Sequence, residues 1–180
     1  MRAIFLDRDG VINKFPGYGK YVTSIKGFKF LPNVKKAIAD LKKSGFKIFI
    51  ISNQACVGKG LLDKADLDLI TSKMIEEIRS YGGDIDRVYY CFHLPEEDCS
   101  CRKPKIGSLK KAAKEFNINL SKSYFIGDSM KDILAARSSG CTSILVLTGQ
   151  ENLINSENWQ VKPDFVFKNL YEASRFILRN

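Results

Sequence analysis

Two carboxylates, Asp7 and Asp9, stand just past an apolar run, Ala3-Ile4-Phe5-Leu6, and just ahead of Gly10. Four consecutive apolar residues read as a short strand buried on both faces, and Gly10 lets the chain turn sharply where that strand ends. Side chains two apart on extended backbone point the same way, so both carboxylates face one crevice. Such a pair can hold a hard divalent cation such as Mg²⁺, and it can divide the roles of nucleophile and acid/base. The competing reading is a turn rich in Asp and Gly, with a solvated salt bridge to Arg8.

Polar groups crown other apolar runs as well. Ser52-Asn53-Gln54 follows Phe46 to Ile51, and Gly127-Asp128-Ser129 with Asp132 follows Ser123 to Ile126. A compact basic cluster, Arg102-Lys103-Pro104-Lys105, precedes a helical stretch at Gly107. Parallel strands all end on one side of a sheet, so these groups converge there and describe a site for a phosphate and a metal. Like charges ~4 Å apart cost on the order of 4 kcal/mol at an effective dielectric near 20, so carboxylates facing a phosphate call for a cation between them.

A second cluster, Cys91-x-His93 with Cys99-x-Cys101, uses three of the five cysteines and the only histidine. Three thiolates and an imidazole fill a tetrahedral structural Zn²⁺ site with no open position. A chance grouping of free thiols is the bland alternative. Cys56 and Cys141 lack such partners and read as small buried or loop residues. The zinc loop closes immediately before Arg102 and Lys103, which gives the metal a mechanical role at the site mouth.

The elements that must position these groups alternate regularly. After an irregular segment from 10 to 32, helices are expected over Val34 to Leu41 with Gly45 as stop, Asp63 to Tyr81, Gly107 to Phe116, Met130 to Ser139 and Leu170 to Leu178. Strands are expected at Phe46 to Ile51, Asp86 to Tyr90, Ser123 to Ile126, Thr142 to Leu147 and Phe165 to Phe167. The alternation argues for an α/β fold: a parallel sheet with right-handed crossovers and helices on both faces. Neither residues 10 to 32 nor residues 92 to 106 have room for a cap, so a capless single domain spanning residues 1–180 is expected, with selectivity supplied by short loops.

Composition is that of a globular chain, 44% hydrophobic and 27% charged, without an apolar run approaching the ~20 residues of a membrane helix. No secretory signal is visible, and a cytoplasmic monomer with no membrane partner is the expectation. The net charge of +9 favours anionic partners. The lysines at 35, 36, 42, 43 and 47, and at 110, 111 and 114, carry no interleaved aromatics, so they read as solvated helix faces rather than a nucleic-acid patch.

On Asp7-x-Asp9-Gly10, Ser52-Asn53, Lys103-Pro104 and Gly127-Asp128-x-x-x-Asp132, in order and spanning residues 3 to 150, the chain resembles the haloacid dehalogenase-like phosphatases. The resemblance implies a Rossmann-like sheet and Mg²⁺-dependent phosphoryl transfer. It implies Asp7 as nucleophile carrying an aspartyl phosphate, Asp9 as acid/base, and Asp7, the Asp9 carbonyl and Asp128 as Mg²⁺ ligands. Ser52 and Lys103 would hold the phosphoryl oxygens, with Asp132 orienting Lys103. Within the superfamily the zinc loop is similar to those of the heptose bisphosphate and histidinol-phosphate phosphatases. Asp9 to Asn13 and Phe30-Leu31-Pro32 look more like the heptose group, His93-Leu94-Pro95 more like the other, and Ser129 stands where some heptose enzymes have a basic residue. The reaction so implied is removal of the C7 phosphate of D-glycero-D-manno-heptose 1,7-bisphosphate, with histidinol phosphate and polynucleotide 3′-phosphates as alternatives. Substrate contacts are then expected from Gly17, Tyr18 and Tyr21 in the first loop, from Asn53 and Gln54, and from Arg102 and Lys103, with Arg102 free to grip a second phosphate.

Overall fold

The N-terminal apolar run is the middle of the sheet. In this computed structural model, which describes residues 1–151 and 158–180, Ala3–Leu6 forms β1 with every side chain buried. It lies between Lys47–Asn53 (β2) and Tyr124–Gly127 (β4). Arg87–Cys91 (β3) flanks β2, while Thr142–Val146 (β5) and Phe165–Phe167 (β6) extend the other side. All neighbours pair in parallel, in the order β3-β2-β1-β4-β5-β6. The order reverses direction at β1, and the diverging connections open a crevice beyond the carboxyl ends of β1 and β4.

Alternation along the strands splits the core between two faces. Ile4 and Leu6 of β1, with Ile48 and Ile50 of β2, pack on one face against Val34–Lys43 (α1), Lys64–Ser80 (α3) and Leu170–Ile177 (α6). Phe5 and Phe49 point the other way, to Gly107–Phe116 (α4) and Met130–Ser139 (α5). There Phe5 stacks on Phe49 at 5.4 Å between centroids and Phe49 meets Phe116 edge-on at 4.9 Å. Fully burying one such ring is worth about 3 kcal/mol, so β1 is fixed in depth before any polar group is considered. In α1 the buried residues are Val34, Ala37, Ile38 and Leu41, and Gly45 at φ 84° releases the chain into β2. Asn33 marks the start by its left-handed conformation, φ 62°, and makes no side-chain cap.

Three features differ from the sequence reading. A short helix, Ala55–Gly58 (α2), intervenes before α3, and 3₁₀ turns form at Pro95–Glu97 and Leu120–Lys122. β2 runs on to Asn53, because the parallel ladder continues through Ser52↔Tyr90 and Asn53↔Cys91; backbone pairing is indifferent to the polarity of the side chains it carries. Arg8 is fully buried, so its pair with Asp9 is not the solvated bridge of the bland reading. In the segment from 150 to 163, residues 152–157 lie outside the described residues.

The lysine-rich faces are largely ion-paired. Lys35 meets Glu77 at 3.0 Å, Lys36 meets Asp40 at 3.0 Å, and Lys42 and Lys47 share Asp86 at 2.7 and 2.9 Å. The first two are exposed pairs worth at most about 1 kcal/mol each. No helix among the described residues is long and apolar enough to cross a membrane.

Candidate active site

The strand ends deliver their polar groups to one cavity of 190 Å³. Its floor holds Asp7 and Asp9 after β1, Ser52 and Asn53 at the end of β2, and Asp128 and Asp132 after β4. Lys103 enters from the loop between β3 and α4, and its ammonium lies 2.8 Å from Asp7 Oδ1 and 2.6 Å from Asp132 Oδ1. It also sits 5.5 Å above the Phe125 ring, whose electron-rich face suits a cation. Burial opposes the charge on Lys103, but the two carboxylates hold the ammonium above its ordinary range.

The carboxylates are crowded. Burial, offset in part by Lys103 and reinforced by Asp132 and Asp9, pushes the Asp7 carboxyl up to about 6. Asp128 is raised well above the usual carboxylate range, by burial first and then by Asp132 and Asp7. Carboxylate oxygens of Asp7, Asp128 and Asp132 lie within 4.8 Å of one another. Asp132 spends both of its oxygens, Oδ1 on Lys103 and Oδ2 on the Ser129 backbone N–H (3.1 Å) and hydroxyl (2.7 Å), where it closes the first turn of α5. Asp7 engages Lys103 through Oδ1, and Asp128 accepts the Gln150 N–H through Oδ2 at 2.7 Å. Asp7 and Asp128 thus keep an oxygen each for a cation, which is the charge that this buried, acid-rich floor lacks.

Space around Asp128 is set by glycine. A Cβ on Gly10 would fall 2.2 Å from Asp128 Oδ2, and one on Gly149 would fall 1.9 Å from it. Gly10 is additionally at φ 88°, in the left-handed region.

Asp9 is held on both oxygens. Arg8 donates through its NH2 to Oδ1 and Oδ2, each at 3.0 Å, Asn13 donates to Oδ1 at 2.8 Å, and Gln54 donates to Oδ2 at 2.9 Å. Gln54, expected to meet substrate, is fully buried and does not line the cavity; it fixes Asp9 and also donates to the Ser52 hydroxyl at 3.2 Å. Asn53 lines the cavity but clamps the Lys103 backbone, donating to its carbonyl at 3.1 Å and accepting its N–H at 3.0 Å. Gly17, Tyr18 and Tyr21 form the opposite lip. Tyr18 is tied by its hydroxyl to the Gln150 carbonyl at 2.8 Å. Arg102 stands at the mouth and donates from NH1 to the His93 carbonyl at 3.1 Å. Lys20, Lys131 and Gln150 also line the cavity, and sequence reasoning missed them. Lys131 carried a signal in its place one residue before Asp132.

Cys91, His93, Cys99 and Cys101 come together as their spacing implied. The Sγ atoms lie 3.3 to 3.6 Å apart, and His93 Nδ1 is 3.7 Å from Cys91 and 3.4 Å from Cys101. A tetrahedron with metal–sulfur bonds of about 2.3 Å has edges of about 3.8 Å, so the four donors need only a small expansion to enclose an ion. All three cysteines are free thiols. Burial, then its contacts with Cys101 and Cys99, pushes Cys91 up to about 12; Cys99, where burial is outweighed by contacts from Cys101 and Cys91, comes down to about 7. The turn is locked to α4 by Gly107, whose N–H donates to the Ser100 carbonyl at 2.9 Å and whose missing Cβ would lie 2.5 Å from that oxygen.

Fold and site together define a class, a hydrolase of phosphoric monoesters built on a doubly wound sheet. A HAD-hydrolase-like family model matches residues 100–173. The chain is 34% identical to the D-glycero-beta-D-manno-heptose-1,7-bisphosphate 7-phosphatase of Haemophilus ducreyi over 98% of each chain. It is likewise 34% identical to the Escherichia coli K12 protein of that name, over 97% of this chain and 93% of the other. Among solved structures, D,D-heptose 1.7-bisphosphate phosphatase from B. bronchiseptica, complexed with magnesium and phosphate, superposes with a TM-score of 0.91 at 31% identity and 99% coverage of both chains. The chain belongs to this family of haloacid dehalogenase-like phosphatases.

Proposed function

We propose that this protein removes the C7 phosphate of D-glycero-D-manno-heptose 1,7-bisphosphate, with Asp7 as the nucleophile. The observation that carries the reading is the buried set of Asp7, Lys103, Asp132 and Asp128 at the carboxyl ends of β1 and β4. Full-length similarity to enzymes named for that substrate supports it over histidinol phosphate and polynucleotide 3′-phosphates.

Asp7 attacks phosphorus, the bond to the sugar oxygen breaks, and Asp9 gives that oxygen its proton. Asp9 then takes a proton from water as the water attacks the aspartyl phosphate, freeing Asp7 and inorganic phosphate. Arg8, Asn13 and Gln54 hold the Asp9 carboxylate in place for both transfers. Lys103 and the Ser52 hydroxyl stabilise the phosphoryl oxygens as charge redistributes. Asp7, Asp128 and the Asp9 carbonyl would hold Mg²⁺, which supplies the charge that lets an anionic phosphate approach anionic Asp7. The donor set of Cys91, His93, Cys99 and Cys101 fits Zn²⁺ and is too soft for Mg²⁺. Held by these four residues, Zn²⁺ would fix the turn that carries Arg102 and Lys103. The mouth is read as capless, with Tyr18, Tyr21 and Arg102 at its edge, in a monomeric cytoplasmic enzyme.

The test is phosphate release with Mg²⁺ across a heptose bisphosphate, histidinol phosphate and a 3′-phosphorylated oligonucleotide, for wild type and Asp7→Asn. The bisphosphate should be turned over fastest and the folded variant should be inactive. Substantial activity in Asp7→Asn would end the nucleophile assignment, and a preference for either other substrate would end the substrate assignment.

A further inference from the structure

The phosphoryl cavity has a neighbour across Lys103. A second hollow, of 260 Å³, lies between the zinc-loop turn and the start of α5, and it shares Arg102, Lys103 and Lys131 with the first. Its remaining wall comes from Pro95, Asp98, Cys99, Pro104 and Lys105. A group bound to the reacting phosphate by a sugar's length would leave the first hollow across that shared wall.

The cations along this path are not equivalent. Lys103 is committed to Asp7 and Asp132, and Lys105 is neutralised by Asp98. Arg102 gives one nitrogen to the His93 carbonyl and keeps the rest of its fork. Lys131 is exposed and has no hydrogen-bond or ion-pair partner among the described residues. It is the second residue of α5, and helical Cα–Cβ bonds tilt toward the N-terminus, so its stem leans back toward the cavity mouth. An anion arriving here gains a charge-assisted contact with Lys131 and breaks no existing pair to do so.

We propose that Lys131 joins Arg102, already expected there, at the second phosphate of a bisphosphorylated sugar, and that Lys131 is a specificity-determining residue of this enzyme. The inference rests on the sugar-bisphosphate reading above. Lys131 acts on the distal group and takes no part in the bond that breaks.

The experiment compares kcat/KM for a heptose 1,7-bisphosphate and the corresponding 7-monophosphate in wild type, Lys131→Ala, Lys131→Arg and Lys110→Ala. Lys110 is exposed on α4 and lines neither hollow, so it controls for the loss of one charge from the whole molecule. In Lys131→Ala the bisphosphate-to-monophosphate ratio should fall about 10- to 100-fold, mainly through KM, the scale of one charged hydrogen bond. Lys131→Arg should recover most of that ratio, and Lys110→Ala should keep it. An unchanged ratio in Lys131→Ala, an equal fall in Lys110→Ala, or no recovery with Arg overturns the assignment of Lys131 while leaving the bisphosphate reading in place. A wild-type enzyme with no preference for the bisphosphate overturns both.

Discussion

Replacing Lys103 with Met keeps the stem and removes the ammonium, which isolates the electrostatics of the floor. Nζ lies 2.8 and 2.6 Å from carboxylate oxygens of Asp7 and Asp132, and at an effective dielectric of 20 each contact amounts to about 6 kcal/mol of Coulomb attraction. Most of that is offset by the cost of keeping the ions out of water. Removing the cation alone strands the anions, and the characteristic loss on breaking a buried pair is about 3–5 kcal/mol. The loss has a definite pH dependence. Asp7 has a folded value of about 6 against an unfolded value of 3.8, so in that window the native state binds more protons than the unfolded chain and stability rises as pH falls. Lys103 lowers the Asp7 value, so its removal raises it further and widens the window. Urea unfolding without added Mg²⁺, followed by circular dichroism, should therefore show the full deficit of Lys103→Met near pH 8 and a smaller one near pH 5, where the Asp7 part of the loss is relieved and the Asp132 contact is still missing. A deficit under about 1 kcal/mol at pH 8, or one equal at both pH values, would refute the reasoning.

The zinc assignment predicts that purified protein carries one zinc per chain by metal analysis, and that Cys99→Ser loses it and loses activity out of proportion to stability; a full complement of zinc in the variant would contradict this. Gly149→Ala should place a methyl against the Asp128 carboxylate, costing about 1–3 kcal/mol and weakening Mg²⁺ in an activity titration; an unaltered Mg²⁺ dependence would remove Asp128 from the cation site. Asp86 is lowered, burial being outweighed by hydrogen bonds from Lys42, the Ile48 N–H and Lys47, so it stabilises the fold above 3.8 and the benefit is lost as pH falls through its folded value. Asp86→Asn should accordingly cost about 1–3 kcal/mol at pH 7 and little in strong acid, where equal losses at both would show the effect to be packing.

The floor of the site was legible in the sequence because a parallel sheet puts every strand's carboxyl end on one side, and each of these ends carries a polar residue after an apolar run. The cluster of Cys91, His93, Cys99 and Cys101 was legible because the spacing of potential metal donors is a chemical constraint. What stayed hidden depends on placement between distant segments. Gln54 looked like a substrate contact from its position at a strand end, yet the turn into α2 rotates it beneath Asp9. Asn53 clamps a backbone fifty positions away, and Gln150 reaches Asp128 from beyond β5, neither of which has a local pattern. Arg8 entered the sequence reading only through the competing alternative, a solvated bridge; the fold shows it sealed between Asp9 and the Tyr90 ring, 5.8 Å from its centroid.

The strap after β5 bears on how the chain is made. Thr148 donates its hydroxyl to the Gly10 carbonyl at 2.6 Å, across 138 positions, and the Gln150 N–H meets Asp128 two residues later. A chain growing from its N-terminus therefore makes Asp7 first and Lys103 next, while Asp128 and Asp132 come only after β4. The three acids that crowd one another in the folded site are therefore complete only when Lys103, which pairs with Asp7 and Asp132, is already in the chain. The order of synthesis thus never presents the full acid cluster without its internal cation.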